Sequence, residues 1–170
     1  MDNEKRIALG QYLFIEGTHY EELKDRAIPI GKHLSIFIHN SCGIISIHFR
    51  EGLEELNKLN SKPLELMKIF FKNLKTDLND LAVKLQNDSR LTKINEIWGL
   101  CTLSAKWGER HGFETYQFID DPDLIRAHDK TIIGAPKLDE LSIPQPLSLF
   151  YHTKESFIKE FEVIKKSQNN

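Results

Sequence analysis

No charge of either sign dominates this chain. Lys and Arg number 23 against 25 Asp and Glu in 170 residues, a formal net charge of −2. Such a balance removes the long-range attraction to phosphate, so no nucleic-acid partner is expected. Cysteine is scarce, with only Cys42 and Cys101. Two thiols make no disulfide framework and fit a reducing compartment. No apolar run approaches the roughly 18 to 20 residues that a spanning helix needs. The opening "MDNEKRIALGQYLFIEG" also lacks the apolar core of a signal peptide. A cytoplasmic protein is expected, with peripheral association at a membrane left open. The nine glycines are isolated from one another. No G-x-S-x-G elbow, H-E-x-x-H pair or phosphate loop occurs, and no cofactor is expected.

What is present is the composition of a folded domain, 40% hydrophobic and 28% charged. The length suits one unit over residues 1–170, with a polar tail at 167–170 expected to fray. Residues 12–15, "YLFI", read either as a strand or as the end of a first helix. "THYEELKDRA" reads as a short helix or a loop, and "IPIGKH" turns the chain. "LSIFIHNSCGIISIHF", residues 34–49, carries two runs of β-branched and aromatic residues around the turn cluster Asn40-Ser41-Cys42-Gly43. That pattern predicts a hairpin, with His39 and His48 flanking the turn.

The strongest helix follows. Ser61 offers a cap and Pro63 a first turn. Leu64, Met67, Phe71, Leu74, Leu78, Leu81 and Leu85 then recur at three- and four-residue steps. About 25 residues of helix are predicted, preceded by a shorter one in "REGLEELNKLN". "INEIWGL" reads as a strand or the start of a helix. "LSAKWGERHG" is helical with Gly112 as its terminator, and "FETYQF" is a strand. "DPDLIRAHD" is a helix within a long polar connection, "PLSLFYHT" is the last strand, and Thr153 caps a final helix. Clustered strands with separate helices predict an α+β fold. Its mainly antiparallel sheet contains the hairpin and is covered on one face by the long amphipathic helix and two or three shorter ones.

Several groups of residues could carry chemistry. Lys106, Glu109 and Arg110 lie at helical spacings of three and four, with His111 at the helix end. They form a candidate site for a small anionic ligand or a lipid head group, or a solvated face with a local ion pair. His39 and His48 are candidate contributors from the hairpin. The set His39, Cys42 and His48 has one thiolate and no close ligand pair, so no metal is expected. Cys101 could act as a nucleophile with His111 or His128, but its apolar run predicts an inert buried thiol. A histidine joined to a carboxylate would indicate an enzyme of transferase or hydrolase type. An apolar groove without titratable groups would indicate a binding or accessory protein, the first expectation here.

Two resemblances add to this. The helix ending in Gly112-Phe113 before a strand resembles part of an acetyltransferase, although the Gly-rich pyrophosphate loop is missing. "IGKHLSIFIHN", "PLELMKIFFKNLKTDLNDLA", "INEIWGLCTLSAKWGERHGFE" and "LSLFYHTKESFIKEF" together resemble the YkoP-type domain. That bacterial family is also found attached to polysaccharide deacetylases. The resemblance spans about residues 30 to 161 and implies an envelope lipid or polysaccharide context. It assigns no catalytic residue.

Overall fold

The computed structural model describes residues 3–49, 63–101, 105–121 and 146–168. The helices expected in "REGLEELNKLN" and "DPDLIRAHD", the Ser61 cap and His128 lie outside them. Helix α1 (Asn3–Thr18) takes in "YLFI". A four-residue helix, α2 (Tyr20–Leu23), follows. Strand β1 (Ile28–Ile30) comes next, too short to show any alternation in the sequence. It is an edge strand, where Pro29 is tolerated. The hairpin is β2 (Leu34–His39) and β3 (Ile44–Phe49). Gly43 in its turn has φ +68°, the left-handed region that glycine enters at no steric cost.

Helix α3 (Pro63–Asn87) has the predicted 25 residues. Strand β4 (Glu96–Cys101), the short helix α4 (Ala105–Arg110), β5 (Glu114–Ile119), β6 (Leu147–Thr153) and α5 (Lys154–Gln168) complete the chain. Gly112 ends the α4 segment with φ +73°, as its place in the sequence requires. The Thr153 hydroxyl accepts a hydrogen bond from the Ser156 amide at 3.2 Å, so it caps α5.

The fold is α+β. Among the described residues six strands form one sheet in the order β1-β2-β3-β4-β6-β5. Every pairing is antiparallel except β3 with β4, which α3 connects as a crossover. One face of the sheet packs on α3 and α5. Leu74, Leu78, Leu81 and Leu85 are buried there against Ile36, Ile45, Ile97, Phe157 and Phe161. Helix α1 covers part of the opposite face, where Leu13 packs with Ile44, Trp98 and Leu149. Period two explains the division. Ile45 and Ile47 point toward α3, while Ile44 and Ser46 point toward α1.

Asp77 stands among the polar positions of α3 in the sequence, yet it is buried. Its carboxylate accepts the amides of Lys32 (3.0 Å) and His33 (2.7 Å), which ties the β1–β2 turn to the helix. Among the described residues no helix is long and apolar enough to cross a membrane.

Candidate functional site

One buried carboxylate organises the α1 side of the sheet. Glu16, 6% exposed, comes from the last turn of α1. Its Oε1 accepts from the Ser46 hydroxyl at 2.5 Å and lies 2.6 Å from His48 Nε2. Its Oε2 lies 3.3 Å from His39 Nε2. That same His39 nitrogen is 2.9 Å from Ser46 Oγ, and His39 Nδ1 is 3.2 Å from the Tyr12 hydroxyl. Three elements therefore meet at one group: α1 gives Tyr12 and Glu16, β2 gives His39, and β3 gives Ser46 and His48.

Strand register explains the meeting. Ser35, Phe37 and His39 on β2 pair with His48, Ser46 and Ile44 on β3. The two histidines thus sit at opposite ends of one face, too far along the ladder to be a cross-strand pair. They meet through Glu16, which reaches the space between them from above.

The hydrogen bonds can be assigned one consistent direction. Tyr12 donates to His39 Nδ1, so His39 carries its proton on Nε2 and donates it to Ser46 and Glu16. Ser46 and His48 Nε2–H then donate to Glu16. A buried carboxylate needs such a set of donors to remain charged. Burial by itself would raise the Glu16 carboxyl. The hydrogen bond and charge of His48, the Ser46 hydroxyl and the charge of His39 outweigh it and hold the carboxyl below its ordinary value. His39 moves the other way from a simple partner of Glu16. Burial pushes it down, Glu16 pulls it up, and His48 and Arg26 add to the lowering, so the imidazole is biased toward its neutral form.

His48 also stands where two strands part. The β3–β4 ladder runs from Ile44↔Glu96 to Ile47↔Gly99, whereas β3 continues to Phe49 and β4 to Cys101. A cavity of about 50 Å³ lies at this parting, lined by Ile47, Phe49, Gly99, Leu100 and Cys101 with side chains of α3 and α4 beyond. That volume has room for a few waters or a short acyl group. Leu100 lines the cavity and also packs with the α1-side cluster, but the other lining residues belong to the α3 side and His48 is not among them.

The residues singled out in the sequence fall into two places. His39 and His48 come together at Glu16. Lys106, Glu109 and Arg110 are exposed on α4, whose Gly108 faces Phe150 on the α3 side of the sheet. Glu109 accepts from the Thr115 hydroxyl at 3.3 Å. His111 turns its ring onto Trp107 and Phe161, at centroid distances of 4.7 and 6.2 Å. Burial lowers its affinity for a proton, the Lys75 charge adds to this, and Glu160 opposes it. The sheet separates this group from the hairpin histidines. Cys42 is exposed, and its thiol lies 3.5 Å from the His39 carbonyl. Cys101 is half-buried at the cavity instead of sealed in the core. Among the described residues no group of three His, Cys, Asp or Glu side chains could hold a metal ion.

Tyr12, Glu16 and Ser46 were missed. A signal did exist: once 3–18 is read as a helix, Leu9, Leu13 and Glu16 share a face, and a carboxylate on an apolar stripe calls for a buried partner. A larger concavity lies elsewhere, a groove of about 710 Å³ between α1 and β5 with Ile7, Ile15, Tyr116 and Phe118 in its walls. Arg6 lies over the Tyr116 ring there, 4.1 Å from its centroid. The groove is larger, but the carboxylate shared by two histidines is at Glu16. The chain matches no protein-family model, no curated protein sequence and no solved structure.

Proposed function

We propose that the protein is a group-transfer enzyme in which His48, backed by Glu16, is the general base, with an acyl thioester as the donor substrate. The observation that carries this reading is the 2.6 Å contact between His48 Nε2 and the buried Glu16 carboxylate. A carboxylate that accepts Nε2–H fixes the tautomer and leaves the basic lone pair on Nδ1. It also stabilises the imidazolium formed when the base takes a proton from an attacking amine or hydroxyl. The transfer is balanced. The nucleophile adds to the thioester carbonyl, the C–S bond breaks, the thiolate leaves, and the proton passes to His48.

The parting of β3 and β4 supports a thioester in particular. The β3–β4 ladder stops at Ile47, one residue before His48, and separated strands suit an extended amide-bearing chain; the apolar cavity of acyl size lies on the α3 face of the sheet, opposite His48. The Gly112-Phe113 junction that resembles an acetyltransferase agrees with this. A cytoplasmic setting would supply such thioesters, and the YkoP-type resemblance would make an amino sugar or lipid-linked sugar the acceptor. A small anion at Lys106 and Arg110 has only exposed charge to support it.

A second reading, a binding or accessory protein, is favoured by the groove between α1 and β5. One experiment separates the two. Wild type is incubated with acetyl-coenzyme A and a panel of amino sugars and lysine peptides, and thiol release is followed. Acceptor-dependent release that falls about 100-fold or more in His48→Gln supports the enzyme. No release with any acceptor, or an unchanged rate in His48→Gln, overturns it.

A further inference from the structure

Two imidazoles and one carboxylate cannot all be satisfied as independent pairs. Glu16 is 5% exposed at its side chain, His48 11% and His39 14%, so water screens little of their interaction. Both Nε2 atoms converge on the two oxygens of Glu16, and Ser46 links His39 to the oxygen that His48 uses. We infer that His39 is a positioning residue of the proposed site, which shares Glu16 with His48 so that the two imidazoles are protonated one at a time.

This deepens the enzyme reading and rests on it for its functional meaning. With His39 neutral, its Nε2–H and the Ser46 hydroxyl steady the carboxylate, and His48 has the full ion pair when it becomes charged. A protonated His39 draws the same carboxylate toward Oε2 and sets a second positive charge against an imidazolium on His48. Among the described residues, the polar groups that face His39 and Glu16 include Tyr12 from α1, Ser46 and His48 from β3, Arg26 just after α2, and Cys42 in the hairpin turn. Of these, Arg26 opposes protonation of His39, and only Glu16 offers it a counter-charge. Tyr12 fixes the outer edge of the His39 ring, with an edge-on contact at 5.3 Å between centroids besides its hydrogen bond.

The test is an NMR titration of the histidine rings, with no substrate present. Spectra of His39→Gln and His48→Gln assign the two residues. In wild type the His39 ring should titrate in two steps, the second reporting the charge on its neighbour. In His48→Gln, His39 should titrate at higher pH by about half a unit or more, because a competing charge has gone and Glu16 is left to it. Glutamine keeps a side-chain donor without a charge, so the carboxylate keeps a partner. A single-step His39 curve in wild type overturns the inference, as does an unmoved His39 in a folded His48→Gln protein. Failure of the thioester assay with coupled titrations intact would remove the enzyme reading and leave the sharing of Glu16 in place.

Discussion

Glu16 is the residue on which the α1 side of the molecule depends. Its charge is tolerable in a buried position because four polar groups are gathered around it, and this has a consequence for acid stability. A carboxyl held below its ordinary value of 4.5 stabilises the fold above that pH, and the contribution is lost as pH falls through the folded value. His39, His111 and His152 are each held below the ordinary 6.5, all primarily by burial. The unfolded chain takes up protons at these three before the folded one does, so stability falls as pH drops below about 6.5. Melting temperature measured from pH 8 to pH 3.5 should therefore decline in two stages. Glu16→Gln should weaken the second stage. It should also melt lower at pH 8, since hydrogen bonds to a charged group are worth roughly 1.5 to 3 kcal/mol each. A single acid transition, unchanged in Glu16→Gln, would contradict this.

At the scale of elements, close approach of backbone sets the geometry. Helix α4 lies so near the sheet that a Cβ on Gly108 would be 2.4 Å from Phe150 Cε1 and 2.8 Å from Thr115 Cγ2. Gly108→Ala should destabilise by about 1 to 3 kcal/mol through this overpacking, a loss that denaturant unfolding would reveal. Leu78 lies at the middle of the α3 stripe and is 3% exposed. Leu78→Ala should cost about 2 to 5 kcal/mol by the same measurement. The stripe, the hairpin, the 25-residue helix and the Gly112 corner were all legible because each is a local pattern of period or of turn chemistry. Helix α1 was not. Its Ile7, Tyr12 and Ile15 remain about half exposed, so its apolar residues do not fall on a single buried face. The site was legible by halves for a related reason. His39 and His48 stand on a readable strand face, but the carboxylate that joins them is 23 and 32 positions away. Nothing in the local sequence ties Glu16 to the hairpin.

At the scale of the whole molecule, the sheet divides the chain's polar candidates between two faces. The α3 side holds the larger apolar core and carries Lys106 and Arg110 at its surface, while the α1 side holds the carboxylate shared by two histidines. The double variant Lys106→Ala/Arg110→Ala should thus leave thiol release and melting temperature within error of wild type. A loss of activity there would show that the catalytic surface extends around the sheet. The proposed transfer requires the thioester donor to bind with its carbonyl within reach of His48. A crystal structure with a non-hydrolysable acetyl-thioester analogue tests this most directly. Density for the acyl group beside His48 on the α1 side of the sheet is the predicted result; density confined to the groove between α1 and β5 would contradict it.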